Sequence, residues 1–124
     1  MNERRYTKNG EWVEFDGTVW RVGLSASAVE ELGDVTFVEL PNPGRAVLAG
    51  EAVCSIEAVK AAADYYSPLD GRIVKVNSNL GLEPARVNAS PEDEGWIFAL
   101  DEVSPEAFQA LMDEQAWKAW EKGL

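Results

Sequence analysis

The sequence predicts a small, mainly β protein, an antiparallel sandwich or barrel with a helical segment at its C-terminal end. Three features carry that expectation. Short β-branched and aromatic runs recur roughly every eight to twelve residues. Pro, Gly, Asn and Asp clusters separate them, and the apolar period lengthens from two to three or four only after Ser104. Together these describe strands joined by turns, followed by a helix.

The first element is a hairpin. Trp12–Phe15 and Thr18–Val22 flank Asp16-Gly17, the pair favoured by a tight two-residue turn. A short internal helix follows, with Ser27 and Glu30 spaced as a capping box and Gly33 as its stop. Val35–Leu40 reads as a strand ended by Pro41-Asn42-Pro43-Gly44. Glu51–Val59 and Asp64–Ser67 form a second strand pair, and Arg72–Asn77 adds another strand. Residues 81–94, rich in Pro, Asn, Asp and Glu, read as a long loop before the last strand, Trp96–Leu100. Ser104-Pro105-Glu106 then starts a helix with a capping hydroxyl, Pro at the first position and an early acid. Phe108, Leu111, Met112, Ala116, Ala119 and Trp120 recur at helical spacing as its packing face, with a break near Asp113. The expected organisation is one domain over residues 1–124, with a core of about 5–101 and a helical segment of about 104–122.

Composition narrows the function. Eleven basic residues against 22 acidic ones give a net charge of −11. Such a surface repels phosphate backbones and anionic lipid, so neither nucleic acid nor membrane is expected as a partner. It suits docking onto basic surfaces. The chain lacks histidine, which removes imidazole catalysis and the usual zinc sites; no metal site and no catalytic residue is expected. The single cysteine, Cys54, lies in an apolar strand pattern and reads as a buried structural thiol. The N-terminal residues MNERRYTKNGEW contain no apolar stretch that could serve as a secretory signal. The chain reads as cytoplasmic.

The informative stretch runs from Ser55 to Gly71. A strand leads into Lys60, three alanines follow, and a second strand begins at Asp64. A lysine at such a hairpin tip stands clear of the body, with only small side chains beside it. A modifying enzyme and a mobile arm both need that geometry.

At this point the chain resembles the H-protein of the glycine cleavage system, a lipoyl-carrier family. The family pattern around its modified lysine is approximately E-S-V-K-A-x-S-D-x-Y-A-P-x-S-G, and here Glu57-Ala58-Val59-Lys60-Ala61-Ala62-Ala63-Asp64 continues to Gly71. Similar pieces occur in order elsewhere: Tyr6-Thr7-Lys8, Glu11-Trp12-Val13, Val22-Gly23-Leu24, Leu32-Gly33-Asp34-Val35, Val38–Pro41, Val87-Asn88 and Gly95–Phe98. The resemblance implies a barrel-sandwich hybrid with lipoic acid in amide linkage to Lys60, within a motif of Glu57, Val59, Ala61 and Asp64. From Cα to the dithiolane ring such an arm spans about eleven bonds, a reach on the order of 14 Å.

The resemblance also implies a carrier rather than an enzyme. It would shuttle an aminomethyl group from glycine decarboxylase to aminomethyltransferase and be reoxidised by dihydrolipoamide dehydrogenase. A lipoate ligase or an octanoyl or lipoyl transferase would load it. Glu11, Glu31 and Asp64 match the cleft that shields the loaded arm, where a carboxylate can hold an ammonium. The sequence departs from the family at Gly10 and Ser27, where many members have histidine, and at Ala58 and Ala63, where serine is usual. The alternative is an H-like lipoyl protein serving lipoyl relay to 2-oxoacid dehydrogenases or sulfur-compound oxidation. A biotin carrier fits less well, because Val59 and Ala61 stand where biotin domains carry methionine.

Overall fold

A computed structural model describes residues 3–123; Met1, Asn2 and Leu124, the ends of the expected domain, lie outside the described residues. The strands are β1 (Arg4–Tyr6), β2 (Glu11–Phe15), β3 (Trp20–Leu24), β4 (Val35–Glu39), β5 (Ala46–Val47), β6 (Ala52–Ala58), β7 (Ala62–Tyr66), β8 (Gly71–Val76) and β9 (Phe98–Asp101). The helices are α1 (Ala26–Leu32), α2 (Asn79–Leu82), α3 (Arg86–Ala89), α4 (Pro105–Gln109) and α5 (Glu114–Glu121). One sheet has the order β1-β2-β3-β9-β8-β5 and the other β4-β6-β7, with antiparallel pairing throughout. The chain is therefore mainly β, as the strand pattern implies. Among the described residues, no helix is long and apolar enough to cross a membrane.

Side-chain alternation explains the core. Val13 faces Val22 across β2–β3, and Glu11 faces Leu24 on the same face. Val13, Val22, Leu24, Ile56, Ile73 and Leu100 fill the interior between the sheets. Trp12, one residue out of phase, points to the opposite face and packs with Tyr6 and Trp117. Its indole N–H donates to the carbonyls of Leu24 (3.0 Å) and Pro91 (3.1 Å). Its ring lies over Gly23, where a β-carbon would come within 2.6 Å of Cζ2.

Several local expectations are corrected. The β2–β3 turn has four residues, because Phe15 pairs with Trp20 and the Asp16 N–H donates to Val19. The Asp16 carboxylate accepts from the Thr18 and Val19 N–H groups, both at 2.9 Å, and so stabilises the wider loop. The cap of α1 is Ser25, whose hydroxyl accepts from the Ala28 N–H; Ser27 lies inside the first turn. The stretch 81–94 is not a plain loop. Leu80 and Val87 are fully buried and pin α2 and α3 to the core, while the Asn77 amide donates to the carbonyls of Glu94 and Trp96.

The C-terminal helix breaks as its sequence suggests, but its packing face differs. Between α4 and α5 the chain straightens and Met112 pairs with Tyr6, adding to the edge of β1. The Asp113 carboxylate restarts the helix by accepting from Ala116 N–H at 2.9 Å. Phe108 and Trp117 are the buried anchors, whereas Ala116, Ala119 and Trp120 are exposed. Trp117 stacks on Tyr6 with centroids 5.3 Å apart.

The fit of Gly23 under the Trp12 indole yields a stability prediction. Gly23→Ala forces a methyl into a fully buried ring and should cost about 1–3 kcal/mol. A urea titration that reads tryptophan fluorescence checks this, and an unchanged midpoint would refute the packing argument.

Candidate functional site

The β6–β7 hairpin builds the site. Glu57 pairs with Ala62, and the Ala58 N–H donates to the Ala61 carbonyl at 2.8 Å, closing a tight turn through Val59 and Lys60. Lys60 is exposed at the tip, with Ala61 and Ala62 exposed beside it. Val59 is 73% exposed, so the apolar neighbour of the lysine is presented rather than buried. Glu57 and Asp64 lie on the outer face of the sheet; Ile56, Ala63 and Tyr65 turn inward to the core. The motif of Glu57, Val59, Lys60, Ala61 and Asp64 thus forms one accessible surface.

A second segment supports this tip. The Val59 N–H donates to the Asp34 carbonyl at 2.9 Å, tying the hairpin to the corner between α1 and β4. That corner is clamped by Asn88 of α3. Its amide N–H donates to the Gly33 carbonyl and its side-chain oxygen accepts from the Val35 N–H, both at 2.8 Å. Gly33 and Asn88 belong to motif pieces visible in the sequence, but spacing alone gives no sign that they meet.

The expected carboxylates occupy different environments. Glu11 is 2% exposed and points inward, in phase with Val13. One of its oxygens accepts from the Thr7 hydroxyl and the other from the Tyr66 N–H at 3.2 Å. Since β7 is an edge strand, Glu11 satisfies an edge N–H and links the two sheets. Burial raises its pKa above the ordinary glutamate value, against the bonds from Thr7 and Tyr66, which lower it. Asp64 and Glu31 are both exposed. Burial first, with Glu39, Asp64 and Glu11 adding repulsion, pushes the Cys54 thiol up to about 12. The Tyr65 hydroxyl is likewise pushed up to about 12, by burial and then by Glu11, Cys54 and Glu31. Cys54 is the buried, inert thiol its strand pattern implies.

A cavity of about 210 Å³ lies between the Lys8–Gly10 turn, α1 and α5. Glu31, Ser27 and Ala28 line one wall and Trp117, Trp120 and Glu121 another. Glu11 and Asp64 do not line it. Gly10 and Ser27, the positions of the two absent histidines, both do. Gly10 has φ +93°, and a β-carbon there would lie 2.9 Å from Cβ of Ala28; the bare backbone at Gly10 is required by its own packing. Lys8 and Trp120 also line it, with Nζ of Lys8 5.0 Å from the ring centroid. Neither is legible as a site residue in the sequence, because the wall comes from segments more than a hundred residues apart.

Glu11 supplies a pH signature. Its folded pKa lies above its unfolded value, so the fold favours the protonated form. Its contribution is most favourable below the unfolded value of 4.5 and is lost as pH rises through the folded value. The stability of the wild type relative to Glu11→Gln should therefore fall as pH rises from 4.5 through the raised folded value. Parallel urea titrations measure the difference, and a gap that widens in favour of the wild type would contradict the assignment.

Comparison with known proteins agrees with this architecture. The family model described as Glycine cleavage H-protein matches residues 4–123. A glycine cleavage system H protein of Thermotoga maritima is 48% identical, over 95% of this chain and 95% of its own length. One from Phenylobacterium zucineum is 46% identical, over 94% of this chain and 96% of its own. The crystal structure of a glycine cleavage system H protein from Mycobacterium marinum superposes with a TM-score of 0.85 at 33% identity, covering 98% of each chain. The chain belongs to the glycine cleavage H-protein family.

Proposed function

We propose that this chain is the lipoyl carrier of a glycine cleavage system, with lipoic acid in amide linkage to Lys60. The observation that carries the reading is the exposed lysine on a bonded hairpin tip with alanines beside it. The lysine environments support the choice. Lys8 lies over Trp120, Lys118 pairs with Glu114 on α5, and Lys75 projects from β8 inside a sheet. Lys8 also sits in a hairpin turn, between β1 and β2, but under it lies the Trp120 ring; Lys60 is the one of these at a hairpin turn flanked by exposed alanines.

The site fits the group. The small side chains of Ala61 and Ala62 leave the amine approachable from the solvent, and Glu57, Val59 and Asp64 offer a surface for the loading enzyme. When bound, a lipoyl group supplies a dithiolane that alternates between disulfide and dithiol and so carries a one-carbon amine fragment and two electrons. The protein positions it and contributes no catalysis. From Gly33 at the lysine end of α1 to Ser27 at the cavity is about 9 Å by helical rise. That lies inside an arm's reach on the order of 14 Å. Glu31 and Asp64 are the accessible carboxylates that can accept from an ammonium. Glu11 has both oxygens engaged and holds the sheets in register.

The partners under this reading are glycine decarboxylase, aminomethyltransferase and dihydrolipoamide dehydrogenase, with a lipoate ligase or an octanoyl or lipoyl transferase for loading. The names of the relatives favour glycine cleavage over lipoyl relay or sulfur-compound oxidation.

Intact-mass analysis after incubation with lipoate–protein ligase, ATP and lipoate tests the proposal. Wild type should gain one lipoyl mass, peptide mapping should place it at Lys60, and Lys60→Arg should gain none. The loaded wild type should then support glycine–bicarbonate exchange by glycine decarboxylase, with Lys60→Arg at background. Acylation of a different lysine, or none while a control carrier is loaded, would remove the basis of the assignment.

A further inference from the structure

The Lys60 side chain does not simply project from its turn. Its stem runs along Gly33: a β-carbon at that position would lie 2.6 Å from Cε, 3.4 Å from Cγ and 3.5 Å from Cδ of Lys60. Gly33 has φ +80° and ψ −157°, a region that glycine alone occupies without strain. The residue therefore both ends α1 and leaves a bare strip of backbone beneath the lysine. Asn88 fixes that strip through the Gly33 carbonyl and the Val35 N–H. Val59 N–H joins it to the hairpin through Asp34. The lysine and the surface under its stem are held by one set of hydrogen bonds.

We propose that Gly33 is a positioning residue for the acylation of Lys60, its bare backbone acting as a seat that aims the amine at the loading enzyme. The proposal rests on the lipoyl-carrier reading. In the reaction, the deprotonated amine attacks the acyl carbon of a lipoyl adenylate. The C–N bond forms, the C–O bond to AMP breaks, AMP leaves as the dianion, and the original ammonium has released two protons in all. A free lysine stem loses many rotamers when an active site closes on it. A stem already resting on Gly33 has fewer to lose, so the reacting geometry is reached more often. The hairpin sequence alone is therefore an incomplete substrate, because the seat comes from α1–β4 and its clamp from α3.

Two measurements test this on the full chain. In the unmodified wild type, NMR should show a nuclear Overhauser effect between the Lys60 ε-methylene and the Gly33 α-protons; its absence overturns the seat. Steady-state loading by lipoate–protein ligase then compares Gly33→Ala with Gly44→Ala. Gly44 also has positive φ, +91°, but a β-carbon there meets nothing within 4 Å, so it carries backbone strain without touching the arm. Gly33→Ala should lose roughly tenfold in kcat with KM for the carrier unchanged, and Gly44→Ala should load at the wild-type rate. Thermal melts establish that each variant is folded, and if Gly33→Ala does not fold the Overhauser measurement decides. Normal loading of folded Gly33→Ala, or an equal loss in Gly44→Ala, overturns the seat alone. Failure of the wild type to accept lipoate while a control carrier is loaded overturns the carrier reading, and with it the proposal.

Discussion

The hydrogen bond from the Val59 N–H to the Asp34 carbonyl fixes where the tip of the β6–β7 hairpin stands. A two-stranded hairpin by itself is marginal in water, and its end frays. A carrier has the opposite requirement at each end of one residue: the backbone must stay put so that partners find it, while the side chain must move. Here the backbone of Val59 is anchored to the corner after α1, and that corner is anchored by Asn88 from α3. Leu80 and Val87 sink α2 and α3 into the core. The position of one exposed lysine thus depends on apolar burial elsewhere in the chain.

The two sheets are held in register by a polar contact as well as an apolar core. Glu11 occupies an inward position of β2, where alternation with Val13 would ordinarily place an apolar residue. Its two engaged oxygens offset part of the desolvation cost that burial imposes. An unpaired N–H at the edge of β7 is thereby satisfied, and the Tyr65–Tyr66 end of β7 is set against the first sheet. That end of the hairpin is fixed from one side and the lysine end from the other.

The sequence shows element types well because the strand alternation and the switch to helical period after Ser104 are local signals. Lys60 and its motif are legible for the same reason. What could not be read is tertiary. β1 lacks an apolar run, and it is a strand because β2 and Met112 pair with it. The spacing to Glu30 points to Ser27 as the cap, but the extended backbone and the side-chain bond to Ala28 put it at Ser25. Residues 81–94 are polar enough to resemble a loop; two buried apolar residues spaced seven apart turn part of that region, and the residues just before it, into helix. In the site, Glu11, Glu31 and Asp64 share an acidic character in the sequence but divide into one buried tie and two accessible acids. Gly33 looks like a helix stop, and its role beneath Lys60 appears only once the hairpin folds over it.

Charge adds a consequence of loading that the fold makes specific. From Ser25 to Asp70 the acidic residues are Glu30, Glu31, Asp34, Glu39, Glu51, Glu57, Asp64 and Asp70, and the basic ones are Arg45 and Lys60. Arg45 is paired with Glu51, which leaves Lys60 as the other cation of that stretch. On the proposed attachment to Lys60, turning its amine into an amide would remove that cation, so the unloaded and loaded forms would differ by one charge at the hairpin tip. At physiological salt the difference is felt within about 8 Å, the screening length, which covers the hairpin tip and the α1–β4 corner. On the same proposal, a loading enzyme would meet a lysine within an acidic stretch of chain, whereas later partners would meet that stretch with a neutral arm rising from it. On that proposal, partners with basic rims would be drawn more strongly to the loaded form, and the order of encounters would gain a bias from the same bond that creates the arm.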